Sequence, residues 1–261
     1  MAEEIVCVVI VTRNRATLLA ECLASLAQQK TDCTWSTIVV DNGSTDATPD
    51  VVRRHHQTPI CYVYEATPGA SRARNKGAQA AASQYVLFVD DECTFPQDYV
   101  ARAAGICAKL APICFGGPIH ARHHPDSPPP YWFKPEYGAF SLPANNPRSG
   151  PPRLSAGNLA VRRKEFLQLG GFAERYGPKG QRMAYGEENA LIVSIFDEFG
   201  LEAFHYDPDL INFHLVRPEK YRWMQIVKEN FRRGFARGRL TTAGLHERLE
   251  LCGKVTDARP S

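Results

Sequence analysis

The stretch Tyr85–Glu92, which reads YVLFVDDE, decides the fold. Its apolar run is typical of a buried strand, and three carboxyl groups follow directly at the end of that run. Like charges this close together are costly unless a cation neutralises them. Because ligands of open α/β sheets bind at the carboxyl ends of strands, the stretch predicts an α/β protein with a polar site at that edge.

The rest of the first half alternates strand-like and helix-like segments around this stretch. Such alternation is typical of a mostly parallel sheet covered by helices. The predicted strands are Ile5–Thr12, Thr37–Asp41, Ile60–Tyr64 and Tyr85–Asp90, and the predicted helices are Ala16–Gln28, Thr48–His55, Ser71–Ala82 and Pro96–Lys109.

The composition changes near residue 121, where a stretch rich in Pro, Gly and Asn begins and runs to Pro152. A loop of this length in a compact domain is typically functional or disordered, and we expect residues 121–153 to form a mobile lid. The elements predicted beyond it are a strand at Asn158–Arg162, a helix at Lys164–Leu169, a helix at Glu187–Phe199, a strand at Leu210–His214 and a basic helix from Glu219 to about Arg237.

The overall composition is that of an ordinary globular protein of 261 residues. A net charge of +3 is too small to indicate a nucleic-acid partner. The eight cysteines form no Cys-x-x-Cys pair and have no His partners at zinc spacing, so they predict reduced thiols in a cytoplasmic protein. The acidic start and the short apolar run Ile5–Val11 predict neither a signal peptide nor a membrane span.

Four polar segments occur in a fixed order along the first half. They are Thr12–Arg15, Asp41–Asp46, Pro68–Gly77 and Asp90–Glu92. In this combination the sequence resembles the inverting family-2 glycosyltransferases, whose fold is the Rossmann-like GT-A type with a C-terminal acceptor-binding lobe. The resemblance runs from about Ile5 to Gly238, nearly the whole chain, and the combination is far more specific than any of its parts.

The resemblance implies that Asp41 and Asp90 bind the uracil or ribose of a nucleotide-sugar donor through their carboxylates. Asp41 also fits a purely structural turn, because Asp-Asn-Gly-Ser favours tight turns. Arg72 and Arg74 open a helix, where guanidinium groups and backbone amides bind anions, and we favour Arg72 as the diphosphate ligand. The donor-side set is Thr12, Arg13, Asn14, Arg15, Asp41, Ser44, Gly69, Arg72, Asn75 and Asp90.

Carboxylates clustered in this way suit Mg²⁺ or Mn²⁺, with pyrophosphate oxygens completing the coordination shell. Similar enzymes carry an Asp-Asp or Asp-x-Asp signature at this point. We expect Asp91 to be the first metal ligand, with Glu92 and His214 as further candidates. A solvated acidic turn and a structural histidine are the alternative interpretations.

Two downstream motifs imply the acceptor side. Gly157 and Asn158 match the family's acceptor-binding Gly-Asn segment, which taken alone would pass for a loop and a strand. Gly186-Glu187-Glu188 matches the family's Gly-Glu-Asp motif with Glu in the place of Asp. The match makes Glu188 the general base and Glu187 a supporting carboxylate, while the alternative is a pair of acids that stabilises a helix N-terminus.

Together these implications predict a metal-dependent transfer of a sugar, from UDP-sugar as the expected donor, to a hydroxyl of a glycan, a lipid-linked saccharide or a small molecule, as in polysaccharide biosynthesis. Residues 1–120 would bind the donor, and residues 121–261 would bind the acceptor and supply the base, fused in one globular domain. A catalytically inactive nucleotide-sugar-binding protein and a sugar nucleotidyltransferase are the alternatives.

The basic helix is the remaining signal. Over Arg217–Arg239 it carries eight Lys or Arg against two Glu, with apolar residues between them. It fits a diphosphate, an acidic acceptor or a membrane surface, so peripheral contact at the inner membrane face is one expectation. The alternative is an ordinary amphipathic helix that packs its apolar stripe.

Overall fold

The computed structural model describes residues 4–55, 59–134, 154–175 and 186–242. The strands are β1 Val6–Thr12, β2 Trp35–Asp41, β3 Ile60–Tyr64, β4 Tyr85–Asp90, β5 Cys93–Thr94, β6 Cys114–Gly116, β7 Ile119–His123, β8 Asn158–Arg162, β9 Phe204–Tyr206 and β10 Asn212–Val216. The helices are α1 Ala16–Leu26, α2 Thr48–Arg54, α3 Ala70–Ala80, α4 Tyr99–Lys109, α5 Arg163–Gln168, α6 Glu187–Phe199 and α7 Trp223–Thr242, with 3-10 turns at Leu201–Ala203 and Pro218–Tyr221.

Seven strands form the central sheet in the order β3-β2-β1-β4-β8-β6-β9. The first four are parallel to one another, whereas β8 runs antiparallel to both β4 and β6. The register pairs Thr12 with Asp41 and Val11 with Asp90, so the polar residues that end three strands meet at one edge. The predicted mostly parallel α/β sheet is confirmed.

The core lies on both faces of this sheet, because the apolar residues of β1 alternate between the two faces. Val6, Val8 and Ile10 pack with α1 and α4 on one side, whereas Cys7 and Val9 pack with α3, α5 and α6 on the other. Helix α3 lies so close to the sheet that a Cβ on Gly77 would stand 2.5 Å from a methyl carbon of Val9. A side chain there would push the helix away from the sheet.

A second, three-stranded sheet has the order β5-β10-β7 and lies next to the carboxylate stretch. Its antiparallel pair places His214 opposite Cys93, and the backbone amide of Leu215 donates to the carbonyl of Glu92 at 3.0 Å. The sheet therefore holds the C-terminal part of the chain against the end of β4.

Several predicted boundaries are wrong in this second half. The loop expected from residue 121 begins later, because residues 119–123 form β7 and pair in parallel with β10. The basic helix begins at Trp223, since Pro218–Tyr221 is a separate 3-10 turn. Residues 135–153, which make up most of the predicted lid, lie outside the described residues.

Two further expectations from the sequence concern the state of the cysteines and the lack of a membrane-spanning helix. Seven cysteines are free in the described ranges, and five of them are buried, among them Cys7 and Cys114. No helix within residues 4–55, 59–134, 154–175 and 186–242 is long and apolar enough to cross a membrane.

Candidate active site

The loops after β1 and β2 are tied together at the sheet edge. The backbone amide of Asn14 donates to the hydroxyl of Ser44 at 2.9 Å, and the amide of Thr45 donates to the Asn14 side chain at 2.7 Å. Asn14 adopts a left-handed conformation with φ of 52°, which asparagine tolerates better than most residues. The two loops therefore form one rigid rim, on which Arg13 is exposed and Thr12 is buried.

Asp41 is fully buried at the end of β2, and both of its carboxylate oxygens are engaged. One accepts from the amide of Ser44 at 2.7 Å, as expected for a turn residue, and the other accepts from the hydroxyl of Tyr62 at 2.7 Å. Burial and the hydrogen bond to Asp41 raise the pKa of Tyr62. The sequence analysis did not single out Tyr62, which reaches Asp41 because β2 and β3 are neighbours.

Asn42 organises the third rim segment, a role the sequence analysis missed. Its side-chain amide donates to the carbonyls of Glu65 and Thr67, and its oxygen accepts from the amide of Gly69 at 2.8 Å. Gly69 precedes α3 with φ of 157°, a conformation that favours glycine. Asn42 thereby sets how the chain enters the helix.

Arg74, rather than Arg72, lies between the carboxylates at this edge, and the region around Arg74, Asp90, Glu187 and Glu188 is called the cleft. Its guanidinium stands 3.3 Å from a carboxylate oxygen of Asp90 and 3.3 Å from one of Glu187. Arg72 faces outward and pairs with Glu174 at 2.6 Å. The spacing of residues in α3 could have shown which arginine faces inward. Arg74 precedes the buried Gly77 and Ala78 by three and four residues, so it lies on their face of the helix.

Asn75, the other predicted donor ligand on α3, is engaged with the chain itself. Its side chain accepts from the amide of Phe172 at 2.8 Å and donates to the carbonyl of Phe172 at 2.9 Å. Gly171 approaches the same amide so closely that a Cβ there would stand 2.5 Å from its oxygen. Asn75 therefore clamps the segment after α5 onto α3.

The three consecutive acids at the end of β4 contact different basic side chains. Asp91 is buried and accepts from Arg15 at 2.8 Å. Glu92 lies 3.8 Å from the same arginine, and Nε2 of His214 is 3.6 Å from Asp90 and 3.2 Å from Glu92. Asp91 and Glu92 belong to the turn that follows β4, so Arg15 lies near both of them while His214 lies near Asp90 and Glu92.

The surroundings of Asp91 and Glu92 shift the pKa values of these two acids in opposite directions. Burial raises the pKa of Asp91 despite the opposing effect of Arg15. Burial also acts to raise the pKa of Glu92, but the hydrogen bond from His214 and the cations at Arg15 and Arg217 outweigh it and lower the pKa to about 2. Arg217, whose Nε is 3.0 Å from Glu92, is a site residue that the sequence analysis did not single out.

The two carboxyl groups at the start of α6 occupy different environments. Glu187 is buried beside Arg74, whereas Glu188 is partly exposed. Burial and the neighbouring carboxyl of Glu188 raise the pKa of Glu187 to about 8, although Arg74 acts to lower it. The pair thus combines a carboxyl that keeps its proton at neutral pH with a more accessible neighbour.

Gly157 lies against the carboxylate of Asp90, whereas the side chain of Asn158 lies in the protein interior. A Cβ on Gly157 would stand 2.7 Å from a carboxylate oxygen of Asp90, so glycine leaves the room that this carboxylate occupies. Asn158 is fully buried and bonds to the hydroxyl of Tyr99 and to the carbonyls of Pro118 and Leu210. Its side chain has no surface to offer an acceptor and instead joins three elements.

The side chains around His214 offer donor atoms that a divalent cation could bind. The Nδ1 of His214 lies 3.0 Å from the carbonyl of Leu215, to which it can donate, and Nε2 faces Asp90 and Glu92. Nε2 would ligate a cation in exchange for the hydrogen bond that it donates to Glu92. Carboxylate oxygens with an imidazole nitrogen are a donor set that suits Mn²⁺. Within the described parts of the chain, however, no three His, Cys, Asp or Glu side chains already stand as a metal site.

Comparisons with known proteins place this geometry in context. A family model described as glycosyl transferase family 2 matches residues 7–168. The chain is 37% identical over 128 residues to a validoxylamine A glucosyltransferase of Streptomyces hygroscopicus subsp. jinggangensis, a match that covers 46% of this chain and 30% of the relative. It is 31% identical over 97 residues to the putative glycosyltransferase EpsH of Bacillus subtilis, covering 35% and 28% of the two chains. The matches thus span less than a third of the length of these curated relatives.

Two solved structures share the fold. The mannosyltransferase PcManGT from Pyrobaculum calidifontis, in complex with GDP-Man and Mn²⁺, has a TM-score of 0.61 and 18% identity, with 100% of this chain and 77% of that chain covered. S. aureus TarS, residues 1–349 with UDP-GlcNAc, has a TM-score of 0.57 and 17% identity, with 82% of this chain and 59% of that chain covered. The fold expected from the sequence, the GT-A type, is confirmed.

Proposed function

This chain belongs to glycosyl transferase family 2, and from that premise we propose that it transfers a sugar from a nucleoside-diphosphate sugar to an acceptor hydroxyl with inversion at the anomeric carbon. One observation carries the proposal. The edge that holds Asp41 and Asp90 also holds a buried cation, Arg74, which links Asp90 to the carboxyl pair Glu187 and Glu188. Arg74 thus connects the edge at which we propose that the nucleotide binds with the carboxyl pair that contains the proposed base.

The donor would lie along the rim formed by the ends of β1, β2 and β4. Asp90 would bind the nucleoside, with uridine as the proposed base, and Arg13 and Arg15 would face the diphosphate. Asp41, which is expected from the sequence to bind the nucleoside directly, is fully buried and would instead hold Ser44 and Tyr62 in place beside it. Residues 1–120 supply this half of the site, and residues 121–261 would supply the acceptor side and the general base. The acceptor we propose is a hydroxyl of a glycan, a lipid-linked saccharide or a small molecule.

A divalent cation would bind where Asp90 and Glu92 face the Nε2 of His214, with diphosphate oxygens as its other ligands. When bound, the cation would stabilise the negative charge that grows on the leaving diphosphate. Asp91 would contribute indirectly, because its carboxylate holds Arg15 in place beside this site. Arg217 would keep Glu92 ionised and oriented.

Glu188 is the proposed general base. Burial and the carboxyl of Glu188 raise the pKa of Glu187, so the pair tends to share a proton, and Glu187, as its buried member, is less able to accept another from the acceptor. Glu188 lies beside it and is more accessible to an acceptor. Glu187 would then position Arg74 and, through it, Asp90.

A transfer assay tests the proposal. The protein is incubated with Mn²⁺ and a panel of UDP- and GDP-sugars, and release of the nucleoside diphosphate is measured with and without candidate saccharide acceptors. We expect one donor to be consumed faster when an acceptor is present, and the same donor to raise the melting temperature. Donor binding without any turnover would instead identify an inactive nucleotide-sugar-binding protein.

A further inference from the structure

Helix α7 carries an exposed apolar face that takes no part in the cleft. Five large side chains are each between 58% and 85% exposed, and they are Trp223, Met224, Val227, Phe231 and Phe235. Their spacings of three and four residues place them on one side of the helix. At 1.5 Å per residue the stripe extends for about 18 Å. An exposed apolar patch of this kind marks an interaction surface.

Basic residues border this stripe. Lys228 is exposed and follows Met224 by four residues, and Arg232 follows Lys228 by four, so both lie along one edge of the stripe. Ile226, on the opposite side of the helix, is buried and fixes the helix to the protein. An apolar face with a cationic border is the arrangement of helices that lie in the plane of a membrane surface.

Aromatic residues extend the surface beyond the start of α7. Trp132 stacks on Trp223 with ring centroids 5.0 Å apart and planes 10° apart, and Tyr131 beside it is fully exposed. Phe133 packs against Tyr221 of the preceding 3-10 turn and fixes this segment to the helix start. Trp and Tyr are the residues that accumulate at the boundary between lipid and water.

We propose that α7, together with Tyr131 and Trp132, docks this protein on an anionic lipid bilayer. Met, Val and Phe side chains offer a saccharide no hydrogen bonds, whereas lipid chains need none. Two copies of the chain meeting through this face would bring two strongly basic helices together, which like charge opposes, whereas anionic headgroups attract them. The proposal does not rest on the sugar-transfer chemistry.

Docking through this face would also orient the cleft. Arg217, which contacts Glu92, precedes Trp223 by only six residues, so the site would lie close to the headgroups. An acceptor held in the membrane would then need to rise only a short way to reach Asp90 and Glu188. This consequence narrows the proposed acceptors to lipid-linked ones and rests on the proposed function.

Vesicle co-sedimentation tests the docking itself, with no sugar donor present. The full chain is mixed with vesicles of phosphatidylglycerol and phosphatidylcholine, or of phosphatidylcholine alone. We expect binding to the anionic vesicles that weakens as salt is added, and a loss of affinity of about tenfold or more in the double variant Val227→Ser with Phe231→Ser. Lys228→Glu should weaken binding to the anionic vesicles and leave binding to the phosphatidylcholine vesicles unchanged.

Leu110→Ser is the matched control, since Leu110 is an exposed apolar residue at the end of α4 and far from α7 in sequence. It should bind vesicles as the natural chain does, and circular dichroism should show every variant folded. The proposal is overturned if the natural chain ignores anionic vesicles or if the Val227 and Phe231 variant binds equally well. It is also overturned if light scattering shows a dimer that this variant dissociates.

Discussion

Replacing Glu187 by Gln should make the protein less sensitive to alkaline pH. The carboxyl is buried at the start of α6, and burial together with Glu188 raises its pKa to about 8. The folded protein therefore holds a proton that the unfolded chain has already released above its ordinary pKa of about 4.3. Gln has the shape of the protonated carboxyl and cannot lose that proton.

The sign of the effect follows from this difference. A group whose folded pKa lies above its unfolded pKa contributes stability that is fully present below the unfolded pKa and is lost as pH rises through the folded value. Each pH unit of difference corresponds to about 1.4 kcal/mol, so the natural protein should lose on the order of 4 kcal/mol between pH 5 and pH 8 from this residue. Since whole domains are stable by only about 5–15 kcal/mol, such a loss is easily measured.

Urea unfolding followed by tryptophan fluorescence, from about pH 5 to about pH 9, gives the free energy of unfolding at each pH. The curves of the natural protein and of Glu187→Gln should coincide at the acid end and separate steadily toward the alkaline end. Glu198→Gln, an exposed change on the same helix, should follow the natural protein throughout. Parallel curves for Glu187→Gln and the natural protein would refute the reasoning, because they would mean that the buried carboxyl titrates normally.

Three further outcomes follow from the site. Glu188→Gln should lower turnover by about 10²–10⁴-fold with donor affinity unchanged, whereas Glu187→Gln should keep measurable turnover; steady-state kinetics would show the reverse if Glu187 were the base. His214→Ala should abolish the Mn²⁺-dependent part of nucleoside-diphosphate binding in calorimetry, while Asp91→Asn should retain part of it; equal loss in both would contradict the placement of the cation. Asn158→Ala should lower the free energy of unfolding by roughly 2–4 kcal/mol, because it removes three buried hydrogen bonds, and an unchanged unfolding curve would argue against that role.

The long elements of this fold follow from the sequence because their patterns repeat. Strand Ile60–Tyr64 and helix Glu187–Phe199 were predicted to the residue, the helix from apolar residues spaced for one buried face. The strands Cys93–Thr94, Cys114–Gly116 and Phe204–Tyr206 were missed because two or three residues contain no period. Their pairing is decided by distant partners that local sequence does not reveal.

The same reasoning explains which site residues the sequence analysis found. The polar segments at the strand ends were identified by type and position, but the direction of each side chain depends on the phase of its element. Asp91 reaches Arg15 from the turn after β4, where no strand period applies, and Arg74 reaches Asp90 because it lies on the buried face of α3. Tyr62 and Arg217 arrive from neighbouring strands and turns, so only the sheet order places them.

Asn158 has a consequence for how this protein would behave in a cellular screen. One buried amide joins α4, the turn before β7 and the turn before β10, so its loss would loosen three parts of the molecule at once. Cells remove partly unfolded protein, so a destabilised variant would have a low abundance rather than a low turnover. A screen that measures sugar product alone would therefore give variants of Asn158 and of Glu188 the same low score. Dividing the product by the amount of folded protein would separate them, because the Asn158 variant should have normal turnover per folded molecule.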